Sequence, residues 1–290
     1  MDLDTLQVFA VVAREGSFTK AAAVLGVSQP SISERMHRLE EQLGTPAFVR
    51  RGRGVGLTAE GLAMRTLADR ALTLARETEE FVTGLSDLER GLIQGAASTT
   101  IAGYVLPSAI ARLRAKRPGV DVEIAVGNTA EMADAVERGD IGWALVEGPV
   151  AESRLAIRRF RDDELILIVA ASHPWARRRR PIAPSALSDE AFIAREPGSG
   201  TGAVVERALI GVGIELTPRV RIADSRGIAE AVASGAGVGI VSELVAAPLL
   251  QSGRLARVAI TGLSLVRPLS LVHLPGRTLG RLDRELLSLV

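Results

Sequence analysis

The stretch SFTKAAAVLGVSQPSISERMHRLEEQLGT, residues 17–45, leaves the backbone few choices. Ser17 precedes a short run in which Phe18, Ala21, Ala22 and Leu25 share one helical face. Gly26 ends that run, because a residue without Cβ enters the left-handed region at little cost. Ser28 then offers a capping hydroxyl, and Pro30 falls in the first turn of the next helix, where its missing N–H is harmless. That helix is expected from about Gln29 to Leu43, with Ile32, Met36, Leu39 and Leu43 inward. Another helix precedes the pair: Leu3, Leu6, Phe9, Ala10 and Ala13 recur at helical spacing until Gly16. Val27 is expected to fill the angle between the second and third helices.

The start of the third helix shows Gln29, Ser31, Ser33 and Arg35 outward. Short polar and forked side chains of this kind fit a major groove and hydrogen-bond base edges. Two helices joined by a glycine turn also occur as plain packing units, so the pattern alone leaves that alternative open. The next segment, FVRRGRGVGLT (48–58), places Arg50, Arg51 and Arg53 on a glycine-rich hairpin suited to phosphates. An arginine run alone is an ordinary solvated loop; directly after the helices it reads as a wing.

Residues 58–89 contain no proline, and Thr58 and Glu60 open a long helix. Met64, Leu67, Ala71, Leu74, Thr78, Phe81, Leu85 and Leu88 alternate spacings of three and four, the stripe of a coiled-coil seam. A helix buried against its own chain has a wider stripe. A paired stalk sets two recognition helices on adjacent turns of a duplex, so the expected target is a partly palindromic site in double-stranded DNA.

From Gly91 onward short apolar runs alternate with helical segments. Strands are expected near 92–97, 120–126, 141–147, 155–160, 164–170, 191–195, 219–223, 238–242, 255–260 and 268–273. Helices are expected at 101–116, 129–138, 202–211, 226–234, 243–251 and 278–289. Such alternation argues for open, mostly parallel sheets, which bind ligands at the carboxyl ends of their strands. Three of those ends are polar: ASTT (97–100), GNT (127–129) and REPGSGTG (195–202). Ser98, Thr99, Thr100, Asn128, Thr129, Ser199, Gly200 and Thr201 offer hydroxyls, an amide and free N–H groups for a small anion or polar metabolite. Each cluster taken singly reads first as a helix cap. Glu147 and Glu196, near the same cleft, argue against a strongly charged ligand unless they orient donors.

Residues 3–61, LDTLQVFAVVAREGSFTKAAAVLGVSQPSISERMHRLEEQLGTPAFVRRGRGVGLTAEG, closely resemble the winged helix-turn-helix of the LysR-type transcriptional regulators. One departure is Pro46-Ala47 before Phe48, where Leu-Phe is usual. By this resemblance Gln29, Pro30, Ser31 and Arg35 face bases, while Thr19, Ser28, Ser33, Arg50 and Arg53 hold the DNA backbone. The resemblance implies an α+β multidomain chain: a DNA-binding domain at 1–58, a linker helix at 59–90 that pairs subunits, and an α/β effector domain at 91–290. That domain would consist of two subdomains like those of periplasmic binding proteins, one formed by 91–162 with 267–290 and the other by 163–266. The chain would cross between them near 161–163 and 265–268. ASTTIAGYVLP, GNT, VEGPV and REPGSGTG look like the branch that includes regulators of sulfite reduction and carbon fixation, whose effectors tend to be small anions or phosphorylated metabolites. Gly202 stands where that branch often has Arg. Homodimers or homotetramers and a cytoplasmic location are implied, with a small-molecule co-inducer and no cofactor or metal.

Composition removes several rivals. The 290 residues include no cysteine, which excludes disulfides, thiolate metal sites and cysteine nucleophiles. The three histidines, His37, His173 and His273, are isolated, and no metal-ligand spacing is visible. The first residues lack a basic stretch followed by an apolar run, so a secretory signal is not expected, nor is a membrane span. Net charge is +1, so any basic surface must be local. Gly198, Gly200 and Ala203 fit G-x-G-x-x-A with Asp224 downstream, a nucleotide-binding pattern, but Glu196-Pro197 separates the strand from the glycines. A solute-binding or nucleotide-binding protein without a DNA function is the alternative. WARRRR (175–180) reads as a solvated loop.

Overall fold

The computed structural model describes residues 1–52, 54–86, 90–150 and 154–290. The chain divides into two compact units, one of residues 1–86 with 138–140 and the other of residues 87–137 with 141–290.

The N-terminal unit begins with α1 (Leu3–Glu15), α2 (Phe18–Leu25) and α3 (Gln29–Leu43). Asp2, Ser17 and Ser28 cap the three helices with their side-chain oxygens, and Gly16, Gly26 and Gly44 end them in the left-handed region. Phe9, Val12, Ala21, Ile32, Met36 and Leu39 form a dry core. Val27 does not fill the interhelical angle: it is exposed, because the reversal at Gly26 spends its N–H on Ala22 and turns its side chain outward. The hairpin β1 (Phe48–Arg51) and β2 (Gly54–Leu57) pairs Arg50 with Val55 across a short turn. Val55 N–H donates to Gly16 O at 2.8 Å, and Phe48 packs on Phe9 and Phe18, so the wing is tied to both helix ends. The Pro46-Ala47 departure has a structural answer. Glu40 accepts the N–H groups of Ala47 and Phe48 at 2.8 and 3.1 Å, and a Cβ on Gly61 would lie 2.1 Å from Ala47 O. The small Ala47 is fully buried in that tight junction.

Helix α4 (Ala59–Ser86) follows, its first turn capped by Thr58 Oγ1 on Gly61 N–H. The expected seam divides. Met64 and Ala71 pack with the N-terminal core, as does Ala68, whereas Leu67, Leu74 and Thr78 are exposed. The side chains of Phe81 and Leu85, and Leu88 itself, lie outside the described residues. The helix therefore turns one stripe onto its own domain and leaves a second, with Leu67 and Leu74, exposed.

The C-terminal unit is built on one nine-stranded sheet. Its elements in order are β3 (Arg90–Ser98), α5 (Thr99–Tyr104), α6 (Leu106–Lys116), β4 (Gly119–Gly127), α7 (Thr129–Glu137) and β5 (Trp143–Glu147). Then come β6 (Ala156–Ala170), β7 (Phe192–Arg195), α8 (Gly200–Gly211), β8 (Val220–Ile222), α9 (Ser225–Ala233), β9 (Val238–Ser242), α10 (Glu243–Gln251), β10 (Leu255–Val258), β11 (Leu265–His273) and α11 (Arg281–Leu287). Strand order is β4-β3-β5-β11-β6-β9-β7-β8, with β10 on β6. β3, β4 and β5 pair in parallel at one end, as do β7, β8 and β9 at the other, and the long strands β6 and β11 run antiparallel between them.

Two expectations are corrected. The strands at 155–160 and 164–170 are a single strand, β6: the charged run Arg161–Glu164 looks like a break but pairs residue by residue with β11. The helix at 101–116 is two, because Pro107 opens α6 and the chain bends at Val105. The interior is partitioned into several clusters: one holds Ile93, Leu106, Leu113, Trp143 and Leu271, a second Leu167, Leu187, Leu209, Val238 and Val258, a third Ile168, Ile193, Ile228 and Val241, and a fourth Met132, Val136 and Val146. Joining the two groups of parallel strands through β6 and β11 places the polar strand ends of both at the middle.

Candidate effector cleft and nucleic-acid interface

In the N-terminal unit, burial of Ile32, Met36 and Leu39 fixes the opposite face of α3 as solvent-facing. Gln29, Pro30 and Arg35 are exposed there, and Ser31 and Ser33 are half-buried. Gln29 Nε2 donates to Ser33 Oγ at 2.8 Å, one turn along, which holds the amide against the helix surface. Thr19 and Ser28 flank that face, and Ser28 Oγ accepts Ser31 N–H as the helix cap. Arg50 and Arg51 are exposed on the wing, while Arg53 lies outside the described residues. The unit thus presents a polar helix tip and a basic hairpin on separate, locally rigid elements. This is what groove readout plus phosphate contact requires.

In the C-terminal unit the three polar strand ends converge. Ser98, Thr100, Thr129, Ser199 and Thr201 are buried, and Thr99 is half-buried. Thr100, Thr129 and Thr201 meet at Glu147, at the end of β5. Thr100 N–H donates to Glu147 Oε1 at 2.9 Å, and Thr201 Oγ1 donates to Oε2 at 3.3 Å. Thr129 Oγ1 donates to the backbone carbonyl of Glu147 at 2.9 Å. Gly200 lies so close that a Cβ there would sit 1.6 Å from Glu147 O. Ala130 N–H donates to Gly198 O at 3.1 Å, which closes the α7 end of the cleft onto the α8 loop.

Sequence reasoning missed the centre of this cluster. Arg267, on β11, is fully buried. Its guanidinium donates to Glu147, Thr201 and Thr100, and its Nε and Nη2 reach Asp163 Oδ2 at 2.8 and 2.6 Å. Asp163, on β6, in turn accepts from Ser242 Oγ at 2.7 Å. The network therefore ties both crossing strands, β5, α5, α8 and the start of α10 to one cation. Burial pushes the Glu147 carboxyl up, but the Arg267 charge, the Ser98 hydroxyl, the Thr100 N–H and Arg195 outweigh it and hold the group below the usual carboxylate range. The signal was present as an arginine and an aspartate inside strand-like runs, VRPLS and RDDELILIV, where exposed and buried charges look alike.

A second arginine was also missed. Arg195 ends β7, almost wholly buried. Its Nη1 donates to Ser225 Oγ at 2.7 Å, and its fork clasps Glu196 through Nε at 2.8 Å and Nη2 at 3.0 Å. The two glutamates are thus neutralised by arginines, Glu147 by Arg267 and Glu196 by Arg195. Asn128 serves α7, exchanging bonds with Glu131 as a cap, and Ser199 likewise caps α8 through Gly202 N–H. The nucleotide-binding pattern dissolves for the same reason. Gly200 is needed for the approach to β5, and Asp224 caps α9. Among the described residues no group of His, Asp or Glu side chains is placed to hold a metal ion, and no helix is long and apolar enough to cross a membrane.

Residues 3–62 match the family described as bacterial regulatory helix-turn-helix protein, lysR family, and residues 86–290 match the LysR substrate binding domain. The HTH-type transcriptional regulator CysL of Bacillus subtilis is 32% identical over 277 residues, covering 95% of this chain and 92% of that protein. Full-length OxyR from Pseudomonas aeruginosa superposes with a TM-score of 0.73 at 21% identity, covering 100% of this chain and 93% of that one. The CcmR regulatory domain of Synechocystis PCC6803, solved in complex with 2-PG, has a TM-score of 0.62 at 26% identity over 69% of this chain and 95% of that one.

Proposed function

The chain belongs to the LysR family of bacterial transcriptional regulators, and from that premise we propose which of its residues read DNA and which receive the effector. It is a DNA-binding regulator with an effector-binding domain, not an enzyme. The observation that carries the DNA assignment is the division of α3: Ile32, Met36 and Leu39 are buried, and the Gln29, Pro30 and Arg35 face is bare. Gln29, Pro30, Ser31 and Arg35 read bases; Thr19, Ser28, Ser33, Arg50 and Arg53 hold phosphates. Subunits pair through the outward Leu67 and Leu74 stripe of α4 in the cytoplasm, as a homodimer or homotetramer on a partly palindromic site.

Band-shift titrations on a promoter fragment, repeated at several salt concentrations, test this. Arg35→Ala is expected to lose about 1–3 kcal/mol of discrimination at one base position. Arg50→Ala is expected to weaken all DNA alike and to reduce the slope of log K against log salt by about 1. If Arg35→Ala binds specific and random DNA as the parent does, the groove face is wrongly assigned.

The effector, a small anion or polar metabolite, binds where Ser98, Thr99, Thr100, Asn128, Thr129, Glu147, Glu196, Ser199, Gly200 and Thr201 meet. It works by linkage: it favours one arrangement of the two halves, and its leverage is its differential affinity for the two arrangements. Convergence of three strand ends on Glu147 and Arg267 supports this reading. A thermal-shift screen of sulfite, sulfate, thiosulfate, sugar phosphates and 2-PG is expected to reveal a compound that raises the melting temperature by mass action. Silence from all of them counts against an anionic effector.

A further inference from the structure

A cavity of about 640 Å³ opens beside the polar cluster. Thr129, Ser199 and Thr201 border one end of it, next to Arg195 and Glu196. The rest of its lining mixes the apolar Ala133 from α7, Val205 and Leu209 from α8, and Ile214 and Leu216 from the loop that follows, with the solvent-exposed Asp134, Glu137, Glu206, Arg207, Glu215 and Arg221. Val205 and Leu209 belong to the dry core of that half. A space of this size and lining accepts an organic molecule of some tens of atoms. One water occupies about 30 Å³ of the liquid, so an inorganic oxyanion fills a small fraction of the cavity.

At the mouth of the polar end the protein already holds a carboxylate. Glu196 lies across the Arg195 fork with two bonds, at 2.8 and 3.0 Å, the geometry that guanidinium groups offer to carboxylic acids. The Arg195 side chain is buried, whereas Glu196 retains access to solvent. A ligand carboxylate can take the fork as Glu196 swings outward, and its body then runs along Ala133, Val205 and Leu209, away from the exposed charged side chains of the lining.

Resting on the reading of this cleft as the effector site, we propose that the effector is an amphipathic carboxylic acid: its head on Arg195, its apolar body between α7 and α8. This narrows the ligand class from small anions to acids with several consecutive apolar carbons.

Calorimetric titration of the full-length protein with butanoate, hexanoate and octanoate below their micelle concentrations tests it. Affinity is expected to rise roughly fourfold per added methylene, with a negative heat-capacity change of binding. Hexanol is expected to bind at least tenfold more weakly than hexanoate. Glu196→Gln removes the competing charge and is expected to tighten octanoate severalfold. Ala130→Trp, at an exposed position of the cavity wall, is expected to weaken octanoate tenfold or more; Ala203→Phe on α8 serves as a second obstruction if the first disturbs folding. Affinity independent of chain length, equal binding of hexanol and hexanoate, or no binding of any acid overturns the proposal. If the acids stay silent while sulfate or 2-PG binds, the amphipathic assignment falls and the cleft remains the effector site.

Discussion

Replacing Arg267 by methionine is expected to cost the C-terminal unit about 3–5 kcal/mol, a value typical of removing one partner from a buried ionic group. The side chain has no access to water and faces Glu147 and Asp163, both nearly as buried. Methionine fills similar volume but leaves two carboxylates without a cation, in a place where only hydroxyls and N–H groups remain to solvate them. For a domain of this size, thermal unfolding should fall by roughly 10 °C. The triple variant Arg267→Met, Glu147→Gln, Asp163→Asn should recover much of the loss, since exchanging a whole buried ionic set is close to neutral. Melting of the single variant within a degree or two of the parent would show that the network contributes little to the stability of this unit.

The same network sets a pH dependence. The Glu147 carboxyl is depressed in the folded protein below its ordinary value of 4.5. Its contribution is therefore complete above that value and disappears as pH falls through the lower, folded-state value. The stability gap between the parent and Glu147→Gln should narrow in acid and stay constant near neutrality.

Gly200→Ala should be the second severe substitution. The added Cβ would lie 1.6 Å from Glu147 O and 2.6 Å from Thr129 Oγ1, and the first of these is strand backbone. The α8 N-terminus must then retreat, which separates Thr201 from Arg267 and opens the cleft. Overpacking of this kind costs about 1–3 kcal/mol or more, and the distorted cleft should lose effector response altogether. DNA affinity of the N-terminal unit at low salt should persist. Gly202→Ala is the matched control. Two residues along the same helix, its Cβ meets nothing closer than Arg195 Cβ at 3.4 Å, an ordinary contact. Alanine is the better helix former by about 1 kcal/mol, so this variant should melt at or slightly above the parent temperature. If both alanines behave alike, the close approach at Gly200 carries no functional weight.

The N-terminal unit was legible almost residue by residue because its signals are local. A serine cap, a glycine stop and a periodic apolar face each act within about four residues. Each therefore appears in the sequence as a short pattern. Where that reading slipped, at Val27 and at the double duty of Met64, the outcome depended on which side of an element the rest of the chain covers. In the C-terminal unit the strand-helix alternation and the three polar strand ends were also visible. Their division of labour was not: Asn128 and Ser199 cap helices, while Thr100, Thr129 and Thr201 hold Glu147.

The amino-acid sequence by itself therefore determined the helical reader with its wing, the long helix after it and the alternating α/β design. These rest on propensity, capping and periodicity, which neighbouring residues decide among themselves. Only the tertiary structure decided that Arg267 joins Asp163 and Glu147, partners 104 and 120 positions away. It alone closed the Arg195 fork on Glu196 beside a cavity of mixed apolar and polar lining. A charged side chain reads the same in a sequence whether it meets water or a counter-charge, and burial, which separates the two, comes from the packing of the whole sheet.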